Sequence, residues 1–238
     1  MRCFTTFRER FVPLFAVLVC GCLAVYSAAL VYSDLAMSRP SAAILGWENG
    51  DSMPDHQHRR ELLVRMGRAT AVHPLDAQPR MELGRFFAWH AARHRAGSAR
   101  AVFYSGLAAD RFAEAVLARP TWGYAWALLA EQWAASGQTD TRIALALRRA
   151  IALSPFEPGA QLKALWLGLG RWSALDETLR TELTASLARL TSQREYFVQA
   201  AGIALQHRHG TLLREIAVQP WQRERISKLA QVANGTTP

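Results

Sequence analysis

The chain has 238 residues, enough for one domain of ordinary size and a membrane anchor. Half of its residues are apolar and a fifth are charged, a balance typical of globular proteins that argues against general disorder. The net charge is +9, and nearly all of the basic excess is arginine, because Lys163 and Lys228 are the only lysines. A basic surface can attract DNA, anionic lipid or an acidic glycan, and export of the chain would exclude DNA.

Residues 11–32 contain no charged side chain. As a helix they would extend roughly 33 Å, which is long enough to cross a bilayer. Three arginines and one glutamate precede this segment, and Asp34 is the first charge after it. By the positive-inside rule we expect a cytoplasmic basic tail over 1–10, a single transmembrane helix over 11–32, and a C-terminal part outside the cytoplasm.

Two alternatives for this segment stay open. Small residues at Ser27, Ala28 and Ala29 could be the cleavage site of a signal peptide. The stretch from Val19 to Cys22 resembles a lipoprotein box, with Cys22 as the lipidated residue. All three cysteines lie in or before the segment, so the exported part holds no disulfide framework and no thiolate nucleophile.

The remainder of the chain divides by composition. Residues 33–58 are rich in proline, serine, glycine and aspartate, without a helical period, and predict a tether. Residues 59–232 are dominated by alanine, leucine, arginine and glutamate at spacings of three and four, which predicts an all-α domain. Residues 233–238 are expected to form a flexible C-terminus.

Three prolines, Pro74, Pro120 and Pro155, mark an internal repeat. Each follows an alanine by five residues and a large apolar residue by eight, so that both side chains lie on one face of a helix that ends before the proline. We expect these residues to pack between helices: Met66, Ala69, Phe112, Ala115, Leu147 and Ala150.

A second pattern follows the first two prolines. A leucine, a small residue and an aromatic residue come nine, ten and thirteen positions after each proline, which places them in one stripe along a helix. After Pro120, Trp126 extends this stripe by one turn towards the start of the helix, and Gly137 ends the helix. Because the rings lie on an inward stripe, Trp126 and Trp133 are predicted to pack instead of binding a ligand. The full set is Leu83, Gly84, Phe87, Trp126, Leu129, Ala130 and Trp133.

This arrangement of Trp-x2-Leu-Ala-x2-Trp, a glycine turn, a second helix and a closing proline resembles the tetratricopeptide repeat. The best unit spans about 121–155. The unit before it is 46 residues long, about twelve more than the family's repeat, and we expect the excess over 90–100. Helices without a clear repeat follow residue 178. The resemblance implies an α-α superhelix of two to four degenerate helix pairs.

The whole layout resembles the small single-pass proteins of bacterial exopolysaccharide clusters, of which the VpsP type is one. The features that carry it are the basic tail, one span, the tether and imperfect repeats that include RPTWGYAW over 119–126. The resemblance implies a single-pass protein of the bacterial inner membrane with a periplasmic C-terminal part. It also implies that this protein is a non-catalytic adaptor that assists polysaccharide biosynthesis or export by binding other membrane or periplasmic proteins. An assembly factor of another envelope pathway (cytochrome maturation, secretion or pilus) and a direct binder of acidic glycan are the alternatives.

In tetratricopeptide superhelices the first helix of each pair lines an inner groove. Carried onto this sequence, that register predicts a partner-binding groove lined by Gln78, Met81, Arg85, Trp89, Tyr124 and Glu131.

No pattern in the sequence predicts an enzyme. His90 and His94 have the spacing of two metal ligands on one helix face, but no third ligand stands in fixed relation to them. Gly168 and Gly170 are interpreted as a turn, and neither a phosphate-binding loop nor a nucleophile elbow is present. We therefore expect no catalytic residue, no metal site and no cofactor.

Overall fold

A computed structural model of the chain describes residues 3–52 and 55–233. Every regular element in these ranges is helical, which confirms the all-α prediction. The eleven α-helices that they contain are α1 (Cys3–Glu48), α2 (His56–Val72), α3 (Ala77–Ala92), α4 (Ala99–Ala118), α5 (Gly123–Ala135), α6 (Asp140–Leu153), α7 (Pro158–Gly170), α8 (Glu177–Ser192), α9 (Arg194–Gln206), α10 (Gly210–Ile216) and α11 (Pro220–Ala233), with a short 3-10 turn at Trp172–Ala174. By contact density the chain divides into an N-terminal unit, 1–83, and a C-terminal unit, 84–238.

The N-terminal helix α1 is long and apolar enough to cross a membrane. An 18-residue window within it reaches a mean hydropathy of 2.5, and none of that window is buried. Residues 3–10, expected as a tail, belong to the same helix. A signal sequence near the N-terminus would share this length and composition.

The second half of α1 packs against α2, both within the N-terminal unit. Its buried residues recur at alternating intervals of four and three, and those of α2 do the same. This spacing is typical of the seam between two paired helices. The seam residues are Ser33, Met37, Pro40, Ile44 and Trp47 of α1, and Leu62, Met66 and Ala69 of α2.

The irregular tether expected over 33–58 is therefore wrong for most of its length. Residues 33–48 continue α1, and α2 begins at residue 56. The connecting turn is short, Gly50 has a φ of 103°, and Asp55 caps α2 by accepting a 2.7 Å hydrogen bond from the backbone N–H of His58. The segment is helical because packing on α2 stabilises it, despite its polar composition.

The three proline-marked helices end in the same way. In each, the last helical residue comes two positions before the proline, and the next helix begins three positions after it. The residue that precedes the proline donates its backbone N–H to the carbonyl of the repeat alanine, at 2.9–3.2 Å. These capping residues are His73, Arg119 and Ser154, and the accepting alanines, Ala69, Ala115 and Ala150, are fully buried.

The long repeat owes its length mainly to its helices. The stretch between α3 and α4 is only residues 93–98, although the sequence suggested a longer insertion over 90–100. Helix α4 has 20 residues against 14 in α6, and α3 has 16 against 13 in α5. Most of the excess is therefore helical.

In the C-terminal unit, alternate helices lie side by side. Helix α5 contacts α7, and α7 contacts α9. The helices between them form a second row, in which α6 contacts α8. A single core runs between these layers, and its largest fully buried members include Ile143, Leu147, Leu165, Leu179 and Phe197. The expected flexible end, 233–238, lies outside the described residues except for Ala233, the last residue of α11.

Candidate functional site

The best-formed candidate surface of the C-terminal unit is a face shared by two neighbouring helices, α5 and α7. Exposed and half-buried residues recur along one side of α7 at intervals of four, three and four positions, and the opposite side of the helix is buried. Two residues of α5, seven positions apart, stand beside it. We call this surface the α5–α7 face and define it by Tyr124, Glu131, Gly159, Lys163, Trp166 and Gly170.

Gly159 of α7 and Tyr124 of α5 lie side by side at one end of the α5–α7 face. A Cβ atom at Gly159 would lie 3.6 Å from Cε2 of Tyr124, which is ordinary van der Waals contact. The ring of Tyr124 is half-buried over this glycine.

An ion pair joins the two helices in the middle of the face. Nζ of Lys163 donates a hydrogen bond to Oε2 of Glu131 at 3.1 Å, and the two side chains are 35% and 42% exposed. A pair this exposed contributes at most about 1 kcal/mol to stability. Its charges remain accessible to a partner that carries complementary groups.

The other end of the face is aromatic. Trp166 is 41% exposed, and its ring meets the imidazole of His207 edge-on at a centroid distance of 4.6 Å. Burial lowers the pKa of His207, and the neighbouring His209 lowers it further. His209 is held in turn by a 3.0 Å contact between Nε2 and the carbonyl of Leu169. His207 is therefore a mostly neutral platform for the indole near neutral pH.

Of the six residues predicted to line a groove, Tyr124 and Glu131 lie on the α5–α7 face. Arg85 and Trp89 are half-buried on α3, with Arg93 stacked over the Trp89 ring at 4.6 Å. Gln78 is exposed and donates a 2.8 Å hydrogen bond to Glu82.

Met81 does not line a groove as predicted. It is 2% exposed, because α3 is buried on nearly all sides from residue 81 to residue 84. Its thioether is a core group and cannot contact a partner.

The packing residues mostly lie inside the protein. Leu83, Gly84, Phe112, Leu129 and Ala130 are buried, as are Met66, Ala69, Ala115, Leu147 and Ala150. Phe87, Trp126 and Trp133 are half-buried, and the two tryptophans pack against the main core of the C-terminal unit. The indole N–H of Trp126 donates to the carbonyl of Pro120 at 2.8 Å, so its polar edge is satisfied locally.

The histidines that might have bound a metal have other neighbours. His90 and His94 both stack on the ring of Tyr104, at centroid distances of 5.3 and 5.7 Å. Among residues 3–52 and 55–233, no three histidine, cysteine or acidic side chains come together in a group that could hold a metal ion.

Sequence reasoning overlooked Gly159, Lys163 and Trp166 as surface residues, although a signal for Gly159 and Trp166 exists. Helices α5 and α7 begin 35 residues apart. Adding this period to Tyr124 and Glu131 gives Gly159 and Trp166. The repeat therefore places corresponding residues of two helices on the same face.

Comparison with known proteins identifies no relative: no protein-family model, curated protein or solved structure matches the chain.

Proposed function

We propose that the chain is a non-catalytic, membrane-anchored helical-repeat adaptor that assists the biosynthesis or export of a bacterial envelope polysaccharide through protein–protein contacts. The observation that carries the adaptor role is the α5–α7 face, where an accessible ion pair and an exposed tryptophan lie together on helices related by the 35-residue repeat. The polysaccharide pathway rests on the resemblance in layout.

Two features support an adaptor. The α1 helix supplies a possible anchor at one end of the chain. The α5–α7 face places an exposed tryptophan beside an accessible ion pair; tryptophan is enriched among the residues that contribute most to binding at protein interfaces, and charged groups are found at their polar rims. We propose a tetratricopeptide-like superhelix as the scaffold of this face, with the N-terminus in the cytoplasm and the C-terminal unit in the periplasm.

Charge reversal within the ion pair tests the adaptor role. Glu131→Lys together with Lys163→Glu keeps an intramolecular pair but inverts the charges offered to a partner. A matched control is Glu224→Lys with Lys228→Glu, because this pair on α11 uses the same residue types at 2.6 Å and both side chains are 68% exposed.

The measurement is recovery of cross-linked partners from membranes of the native host, with circular dichroism as the check on folding. We expect the Glu131/Lys163 exchange to reduce recovery at least tenfold, equivalent to about 1.4 kcal/mol of binding energy, while the Glu224/Lys228 exchange leaves it unchanged. Equal recovery from both folded variants would exclude the α5–α7 face as the docking surface.

Direct binding of acidic glycan is the second candidate, favoured by Trp166 standing one helical turn from Lys163 on α7. Sugar rings can stack on an exposed indole while a lysine pairs with an acidic group. A glycan array probed with the full chain in detergent would show binding that is lost on Trp166→Ala. The control is Phe156→Ala, which removes another exposed ring and should leave glycan binding unchanged.

Orientation has a separate test. An alkaline phosphatase fused after residue 238 is active only outside the cytoplasm. An inactive phosphatase, with an active cytoplasmic reporter at the same site, would reverse the proposed topology.

A further inference from the structure

An apolar turn projects beside the membrane helix in the N-terminal unit. It connects α2 to α3; Val72, the last residue of α2, is 43% exposed, and Leu75 within the turn is 80% exposed. The adjoining His73 lies against α1, with its Nε2 3.3 Å from the hydroxyl of Tyr26 and the two rings edge-on at 5.5 Å. Together the turn and α1 form an open apolar groove whose other walls are Val17, Leu18, Cys22, Val25 and Ala29.

The contact between His73 and Tyr26 lies within the uncharged segment of α1, at a depth that can be compared with the thickness of the headgroup layer. Tyr26 precedes Asp34, the first charge after the apolar segment, by eight residues, which corresponds to about 12 Å along a helix. The headgroup layer occupies only roughly 5–8 Å of each leaflet. If α1 spans a bilayer with Asp34 in the headgroup layer, Val72 and Leu75 stand beside lipid hydrocarbon.

We propose that the α2–α3 turn is a second membrane contact, inserted into the leaflet at the C-terminal end of the α1 span. The inference rests on the membrane anchor of the proposed function and is independent of any partner on the α5–α7 face. Its apolar side chains continue the exposed apolar surface of α1 across to a second element.

Hydrogen bonding within the turn suits that environment, because non-helical backbone at membrane depth needs protein partners. Arg80 donates to the carbonyl oxygen of Asp76 at 2.7 Å and also to that of Pro74. The Asp76 N–H donates to the carbonyl of His73 at 3.1 Å. Oδ1 of the Asp76 carboxylate accepts from the backbone of Gln78 at 2.9 Å, and its Oδ2 is 3.5 Å from the hydroxyl of the buried Ser33. Asp76 and Arg80 are thus hydrogen-bonded within the protein, while the apolar side chains of Val72 and Leu75 are exposed.

Arginines mark the adjoining headgroup level. Arg65 and Arg68 line a groove between α2 and α1 together with Tyr32, and Arg68 precedes Val72 by one helical turn; Arg60 lines the same groove about one and a half turns farther from Val72 than Arg65 does. Within the described ranges none of the three is paired with a carboxylate. Unpaired guanidinium groups bind lipid phosphates, and tyrosines are enriched at the same depth. Lipid phosphates bound to these arginines would place Leu75 in the hydrocarbon layer beneath the headgroups.

Depth-dependent fluorescence quenching tests the proposal on the full chain in lipid nanodiscs. All three native cysteines are replaced by serine, and an environment-sensitive fluorophore is attached at Leu75→Cys, at Leu18→Cys within the α1 segment, or at Leu117→Cys. Leu117 is the matched control, because it is also 80% exposed but lies on α4 of the C-terminal unit. The discs contain phosphatidylcholine, phosphatidylglycerol and a lipid with a nitroxide near the top of the acyl chain.

We expect the labels at 75 and 18 to lose emission to the nitroxide and to shift to shorter wavelength, and the label at 117 to do neither. A quenched label at 18 with an unquenched label at 75 would overturn the membrane contact of the turn and leave the anchor intact. Labels unquenched at both 18 and 75 would overturn the anchor and, with it, this inference. Circular dichroism of each labelled protein verifies that it is folded.

Discussion

The ring of Phe112 on α4 lies directly over the backbone of Gly84 on α3. A Cβ atom at position 84 would come within 2.6 Å of Cδ1 of this ring, closer than real side chains approach one another. Phe112 is fully buried, so its ring can shift only by displacing the residues packed around it. The small residue expected from the repeat pattern is therefore required by a helix-to-helix contact.

The first prediction concerns this contact. Gly84→Ala should lower the free energy of unfolding by about 1–3 kcal/mol, because the buried ring must shift. Gly106→Ala, within α4, is the control: no atom lies within 4 Å of its added Cβ, so it should gain roughly 0.5–1 kcal/mol from helix propensity. Urea unfolding of both variants measures the difference, and equal effects would contradict the close packing.

The second prediction tests the seam between α1 and α2. Ile44 is fully buried, whereas its neighbour Leu45 is 53% exposed. Ile44→Ala should cost about 2–5 kcal/mol through the cavity it leaves, and Leu45→Ala under about 0.5 kcal/mol. Hydrogen exchange of the α2 amides reports the loss. If both variants leave that exchange unchanged, residues 33–48 do not pack on α2.

The third prediction concerns a buried amide in α7. Gln161 is 1% exposed, donates a 2.8 Å hydrogen bond to the carbonyl of Ser154, and accepts one from the hydroxyl of Ser186. Gln161→Leu should cost about 1–3 kcal/mol for each buried polar group left without a partner.

Adding Ser186→Ala to Gln161→Leu should recover part of that loss, because the unpaired hydroxyl is removed. A double-mutant cycle by chemical denaturation measures the coupling. Strictly additive effects would mean that the two side chains do not interact.

The fourth prediction is a pH dependence from His207. Burial and the neighbouring His209 lower the pKa of His207 in the folded state below its ordinary value of 6.5. At a pH below 6.5 the unfolded chain therefore binds a proton at this imidazole more readily than the folded chain does. The resulting stabilisation is complete above about pH 6.5 and is lost as the pH falls through the folded pKa. His207→Gln should flatten this dependence.

Nuclear magnetic resonance titration of the imidazole, together with thermal melts at about pH 7.5 and about pH 5, measures both parts of that prediction. His209→Asn serves as the intermediate case, since it removes the weaker cause of the shift and should raise the pKa of His207 slightly. A normal pKa in the unaltered protein would contradict the burial of the ring.

Local patterns predicted the helix ends accurately. The repeat alanines and the prolines that follow them correctly indicated three helices with the same cap, since capping depends on residues within one turn. The helical continuation of α1 over 33–48 was missed because its seam has a period near 3.5 and includes Ser33 and Pro40, which composition alone assigns to loops. The sequence signal for this helical segment was the four-and-three spacing of the residues at 33, 37, 40, 44 and 47.

The sequence by itself determined that the chain is helical, where the repeat helices end, and that one N-terminal segment could span a membrane. These properties depend on hydrogen bonds and hydropathy within short stretches of chain. Only the tertiary structure decided which aromatic and charged groups are accessible. Met81 is enclosed, whereas Trp166 is exposed beside His207, forty-one residues away in sequence. Accessibility depends on neighbours distant in sequence, which the periodicity of a single helix does not specify.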